Sequence, residues 1–151
     1  MPTYRVIDSL DDRRMAQLME LYREEWWTHE RTTDQVRELL RWSDLVVGLC
    51  DERNDRLVAF ARVLTDRVFR AFVFDVIVAK THRGDGLGLR IMREVLDHPM
   101  LREVELVELY CRPELTAFYE RLGFGRPDSG VVLMRRRTGQ TSGGPEGPPL
   151  R

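Results

Sequence analysis

Ala71-Phe72-Val73-Phe74-Asp75-Val76-Ile77-Val78 runs into Ala79-Lys80-Thr81-His82-Arg83-Gly84-Asp85-Gly86-Leu87-Gly88, and from there into Leu89-Arg90-Ile91-Met92-Arg93-Glu94-Val95-Leu96. The first segment is an almost unbroken apolar run, which predicts a central strand covered on both faces. The last carries Leu89, Ile91, Met92, Val95 and Leu96 on one helical face and stops at His98-Pro99, because proline cannot continue a helix. Between them, glycines at 84, 86 and 88 let the backbone come close to a ligand and leave the first N–H groups of the helix turned toward it, an arrangement that binds phosphate. Two familiar phosphate loops fail on spacing. A dinucleotide fingerprint needs a third glycine where Leu89 stands, and a P-loop needs Gly-Lys-Ser/Thr where Leu89-Arg90-Ile91 stands.

Working outward, Leu106 to Cys111 reads as the next strand. Pro113 suits the first turn of a helix running to Leu122, Gly123 is placed as its C-cap, and Val131 to Met134 reads as a last strand that closes the sheet. Upstream, Leu45 to Cys50 and Leu57 to Leu64 are apolar runs separated by Asp51-Glu52-Arg53-Asn54-Asp55, the pattern of a β-hairpin. Before them come a short strand near Tyr4 to Ile7 and two amphipathic helices. In the first, Ser9 and Asp12 resemble a capping box ahead of Met15, Leu18, Met19, Tyr22 and Trp26; in the second, Thr32 and Gln35 do so ahead of Val36, Leu39 and Leu40. Thr138 to Arg151 holds four glycines and three prolines with almost nothing apolar, so a disordered tail is expected after a single domain spanning residues 1–137.

The chain has 24 basic and 25 acidic residues in its 151, interspersed, for a formal net charge of −1. No basic stripe is present to recruit nucleic acid or an anionic membrane, so a small-molecule or local peptide partner is expected. Cys50 and Cys111 each sit in an apolar stretch and read as buried thiols rather than a disulfide. His29, His82 and His98 show no metal-ligand spacing; they read as solvated histidines, and no metal is expected. No stretch approaches the roughly 20 apolar residues of a membrane span, and the N-terminus has no signal-peptide run. A soluble cytoplasmic protein follows.

Arg83-Gly84-x-Gly86-x-Gly88, directly after Asp75-Val76-Ile77-Val78, resembles the acetyl-CoA signature of the GNAT acetyltransferase family. Leu115-Thr116-Ala117-Phe118-Tyr119-Glu120-Arg121-Leu122-Gly123-Phe124 resembles the family's Phe-Tyr-x-x-x-Gly-Phe element after the fifth strand, about 35 residues on and in the right order. The likeness covers roughly Leu45 to Met134. Trp27-x-x-x-Arg31 and Leu57 to Val63 look like an uncharacterised bacterial branch of the family.

The resemblance implies a single α/β (α+β) domain: a mixed, mostly antiparallel sheet splayed between strands 4 and 5, with helices on both faces. It implies an N-acetyltransferase that moves the acetyl group of acetyl-CoA directly to a primary amine. Pantetheine would lie along Val76, Ile77 and Val78. The pyrophosphate would rest on Arg83, Gly84, Asp85, Gly86, Leu87 and Gly88, flanked by Leu87 and Leu89, with Phe118 in the second motif.

Such chemistry needs a neutral amine, stabilisation of the oxyanion and a proton for the departing thiolate. A backbone N–H near Val78 is the oxyanion candidate. Tyr119 matches the family's usual general acid and stays protonated at neutral pH. Asp75, partly desolvated among apolar neighbours with a raised pKa, is the candidate base or amine holder; Glu108, Glu114 or a water chain are alternatives. Asp75 reads equally as a buried partner for an arginine such as Arg62. The acceptor is open. A GNAT-fold module that binds acyl-CoA without transferring it is the other class, and the strand edges and tryptophan-rich helices leave room for a homodimer.

Overall fold

A computed structural model describes residues 1–127 and 129–139. The chain clusters into two compact units, Met1–Leu109 and Tyr110–Arg151. The first holds β1 (Tyr4–Ile7), α1 (Asp12–Arg23), α2 (Thr33–Trp42), β2 (Leu45–Asp51), β3 (Arg56–Thr65), β4 (Arg70–Val78), α3 (Leu87–Leu96) and β5 (Leu106–Leu109). Single 3-10 turns, Lys80–His82 and Pro99–Leu101, flank α3. The second unit holds a 3-10 turn, Pro113–Leu115, and α4, Thr116–Glu120.

The sheet order is β1-β2-β3-β4-β5, antiparallel as far as β4 and parallel between β4 and β5. The expected hairpin is β2–β3. The doubly covered strand is β3 rather than β4: Leu57 to Ala61 are buried in succession, whereas along β4 buried and half-buried residues alternate. Phe60 meets Tyr22 of α1 edge to face, with ring centroids 6.2 Å apart. α3, whose Ile91, Met92 and Val95 are fully buried, packs on β2, β3 and β4.

The α2 capping box forms as expected, with the Thr32 hydroxyl accepting from the Gln35 N–H and the Gln35 side chain accepting from the Thr32 N–H. For α1 the cap is Asp11, which accepts from Arg14 N, and not the Ser9/Asp12 pair: a carboxylate one residue before the first helical residue reaches the N3 amide directly.

In the second unit, Gly123 (φ 89°) ends α4. Its N–H bonds Glu120 and the Phe124 N–H bonds Tyr119, which is the Schellman pairing. The helix expected from Pro113 to Leu122 is therefore a 3-10 turn followed by little more than one α-turn, and β5 stops at Leu109 instead of Cys111. Val131 to Met134 form no strand; they are exposed, between 45% and 84%. Four apolar residues in a row are compatible with a strand, but a strand also needs a hydrogen-bonded ladder, and none is formed by these four. The expected 138–151 tail lies, from residue 140 onward, outside the described residues.

Candidate active site

β4 and β5 pair over four positions, Arg70↔Leu106 to Val73↔Leu109, and β5 then ends while β4 continues to Val78. On the other side β4 stays paired with β3 to the end, Ala59 opposite Val78. The Ala79 N–H donates to Val58 O at 2.7 Å, so its groups face β3. In an antiparallel ladder this orientation alternates, which turns the peptide groups of Val76 and Val78 toward the side β5 has vacated. Of Val76, Ile77 and Val78, expected to meet pantetheine, Ile77 is turned to β3, while the backbone groups of Val76 and Val78 pair with no strand among the described residues.

The splay coincides with a bulge in β4. Phe74 is opposite Arg62 and Ile77 opposite Phe60, so Asp75 and Val76 together face the single residue Ala61. Asp75 takes up a left-handed conformation, φ 56°, which an aspartate tolerates better than most side chains.

Beyond the 3-10 turn, Gly84 (φ 88°) and Gly86 (φ 77°) are both left-handed, with no atom within 4 Å of where a β-carbon would stand. Gly86 is the N-cap of α3 and brings no capping side chain. The first α3 bond to the cap runs from Arg90 N to Gly86 O, leaving the N–H groups of Leu87, Gly88 and Leu89 without acceptors in the helix. Three amides without helical acceptors beside exposed glycines are the arrangement on which the expected anion site rests. One correction applies: the Leu87 side chain is buried, 2% exposed, so it anchors the helix in the core and offers the loop only its backbone.

The turn is fastened from below. His82, expected to be solvated, is largely buried; its Nε2 is 3.2 Å from an oxygen of buried Asp51 and its Nδ1 is 2.9 Å from the Thr81 hydroxyl. The Arg53 guanidinium on the same carboxylate holds Asp51 well below the usual range. Arg83 pairs with Glu25 at 2.5 Å, a contact the sequence did not suggest.

Asp75 departs furthest from expectation. Its side chain is fully buried, 0% exposed, and accepts from Tyr22 Oη (3.0 Å), Arg31 Nη1 (2.6 Å) and Nη2 (3.2 Å), and Arg62 Nε (2.7 Å). Burial alone would push the carboxyl up, but the hydrogen bonds and charges of Arg31 and Arg62 outweigh it and the pKa is lowered. The raised pKa expected of a base is reversed, because two guanidiniums stabilise the ionised form. Arg62 was legible as a partner. Arg31 and Tyr22 lie 44 and 53 residues away and carried no pairing signal beyond Trp27-x-x-x-Arg31.

In the second unit Tyr119 is 8% exposed and packed edge to face between Phe118 and Phe124. Burial pushes its phenol up to about 12, with a smaller contribution from Cys111. Its hydroxyl takes no hydrogen bond among the described residues. Cys111 is a free thiol raised by burial, unsuited to act as a thiolate; Cys50 is free and buried. Glu108 pairs with Arg70, and Glu114 lies near Arg112.

A cavity of about 660 Å³ lined by Asp8, Arg37, Arg41, Asp44, Leu45 and His98 sits at the far end of β2 from the His82–Asp51 contact and adjoins none of these groups. Among the described residues no cluster of three or more His, Cys, Asp or Glu is placed to hold a metal, and no helix is long and apolar enough to cross a membrane.

A mixed sheet whose fourth strand runs on beyond its fifth into a glycine-rich turn and a helix is an acyltransferase architecture. The family model described as Acetyltransferase (GNAT) family matches residues 14–124, and the chain belongs to that family. A GNAT-family protein of Xanthomonas campestris pv. campestris has the same fold, with a TM-score of 0.75 and 30% identity, covering 91% of this chain and 94% of that one. Among curated relatives, an uncharacterized N-acetyltransferase, ycf52, of Porphyra purpurea is 32% identical over 70% of this chain and 62% of its own length. A chloroplastic serotonin N-acetyltransferase 2 of Oryza sativa subsp. japonica is 36% identical over 71% of this chain and 56% of its own length. The chain thus spans about three-fifths of the curated relatives it matches.

Proposed function

We propose that this protein transfers the acetyl group of acetyl-CoA to a primary amine by direct attack. The observation that carries this reading is the unpaired β4 edge, Val76 to Val78, leading straight into the glycine cradle at the start of α3. Pantetheine would add to that edge as an extra strand does, and the pyrophosphate would take the free amides of Leu87, Gly88 and Leu89. As the neutral amine attacks the thioester carbon, a backbone N–H near Val78 supports the developing oxyanion. The C–S bond then breaks, Tyr119 protonates the thiolate, and the amine nitrogen gives up its proton to water. Asp75 is assigned to positioning, because a carboxylate held ionised by two arginines is a weak base. A cytoplasmic setting, with both cysteines as free thiols, belongs to the same reading.

Tyr119→Phe is expected to lower kcat about 100-fold with acetyl-CoA affinity retained, as measured by release of free CoA thiol in the presence of an amine panel. Unchanged turnover would remove Tyr119 from the mechanism; acetyl-CoA binding with no turnover on any amine in the wild type would favour the acyl-CoA-binding module. Since Tyr119 ionises only near pH 12, kcat/KM is expected to rise with pH as the amine deprotonates and then hold level to pH 10. A descending limb centred between pH 8 and 10 would contradict a tyrosine acid with this pKa.

Glu25 neutralises the loop cation that a phosphate would otherwise meet. Glu25→Gln is therefore expected to tighten acetyl-CoA binding several-fold in titration calorimetry, most at low salt. A weaker complex would mean that the Arg83–Glu25 pair holds the loop in shape instead of competing with the ligand.

A further inference from the structure

The cluster that disqualifies Asp75 as a base has a charge imbalance. One carboxylate, Asp75, faces two guanidiniums, Arg31 and Arg62, and the neutral Tyr22 phenol, so these four side chains together carry a net charge of +1. Arg31 spends both terminal nitrogens on Asp75. Arg62 spends only Nε, and among the described residues its two terminal nitrogens have no protein acceptor. Its side chain is 13% exposed, yet those nitrogens are not sealed off: the one buried side-chain polar atom without a partner among the described residues is the Tyr4 hydroxyl. A guanidinium so placed has a donor pair pre-aimed at an oxyanion.

The surroundings say what kind of molecule would bring that anion. Arg62 lies on the sheet face that meets α1, two residues from Phe60 on β3 and opposite Phe74 on β4. Its guanidinium stacks 4.9 Å over the Phe74 ring, and Phe74 packs against Phe72 at 4.9 Å. Both phenylalanines are half-buried, so the cation ends a row of two aromatic rings. Asp75, which Arg62 grips, is the bulge residue immediately before the Val76–Val78 edge.

We propose that Arg62 is the specificity element of the acceptor site and that the acceptor is a primary amine carrying an anionic group, a carboxylate or a phosphate, which docks on its two free terminal nitrogens. The inference rests on the acetyl-transfer reading and deepens it. The net positive charge also favours an amine that arrives deprotonated, the form that attacks, and disfavours acceptors whose only charges are cationic.

The test is an amine panel assayed with the full chain at saturating acetyl-CoA: an α-amino acid beside its amide, and a phosphorylated amino sugar beside the unphosphorylated sugar. The expected result is kcat/KM at least 10-fold higher for an anionic member than for its neutral partner, the better pair telling carboxylate from phosphate. In Arg62→Gln this preference should collapse through KM, with acetyl-CoA affinity retained. Arg62→Lys keeps a charge beside Asp75 and guards against a folding defect; it should restore part of the preference, since an ammonium cannot reproduce the fork. Equal or better use of the neutral or cationic members, or a preference that survives Arg62→Gln in folded protein, overturns the proposal. If the panel gives no turnover, binding of the same compounds to the CoA-saturated protein, followed by NMR, decides by the same comparison. Failure to bind acetyl-CoA at all would sink the acetyl-transfer reading and this inference with it, which distinguishes that failure from the loss of the acceptor preference alone.

Discussion

Gly86→Glu is expected to weaken acetyl-CoA binding at least ~100-fold, to below detection in titration calorimetry, while the protein still melts cooperatively. Two effects act together. Gly86 has φ 77°, where an L side chain costs about 1–2 kcal/mol, and there is open space around the missing β-carbon, so the backbone cost is not compounded by a clash in the core. The new carboxylate then stands at the N-cap of α3, beside the amides proposed to take the pyrophosphate, where it would satisfy those donors itself and repel a phosphate's charge. Gly86→Ala separates the two effects: it carries the strain without the charge, and a loss of less than 10-fold is expected. Equal affinity in wild type and Gly86→Glu would mean that the loop is only a tight turn, and the acetyl-CoA site would have to be sought elsewhere.

Removing the charge of Asp75 is expected to destabilise the sheet strongly. Asp75→Asn keeps a side chain that accepts a left-handed backbone, so the substitution isolates the charge. It leaves Arg31 and Arg62 facing each other at 17% and 13% exposure without an anion, and breaking a buried pair by removing one partner costs about 3–5 kcal/mol. Against a stability of about 5–15 kcal/mol, that corresponds to a fall in Tm on the order of 10 °C. Its pH dependence has a definite sign. The folded pKa of Asp75 lies below the unfolded value of about 3.9, so its contribution is fully present above that pH and is lost as pH falls toward the folded value. Asp75→Asn should therefore narrow the gap to wild type in acid and widen it at neutrality. A variant with wild-type Tm and no activity would restore Asp75 as a catalytic base.

The two substitutions probe features of unequal legibility. The loop could be read directly because its chemistry is local: left-handed glycines, a missing cap and the first amides of a helix all lie within a few residues of chain. The capping box of α2 and the hairpin β2–β3 were legible for the same reason. The splay was implied only by family resemblance. Val131 to Met134 and the end of β5 were misread because a strand needs a hydrogen-bonded ladder as well as an apolar run, and nothing in the run itself says whether that ladder forms.

By itself, then, the sequence determined the order of the helices and of most of the strands, and that the chain is an α/β protein of the GNAT type. Only the tertiary structure decided what Asp75 is for. A carboxylate on an apolar strand is a base or half of an ion pair according to what faces it. The groups that face it, Arg62, Arg31 and Tyr22, lie 13, 44 and 53 residues away, a separation that only packing against α1 and β3 closes. The same packing sets the net charge of these four side chains, because burial makes that charge count where solvent would have screened it.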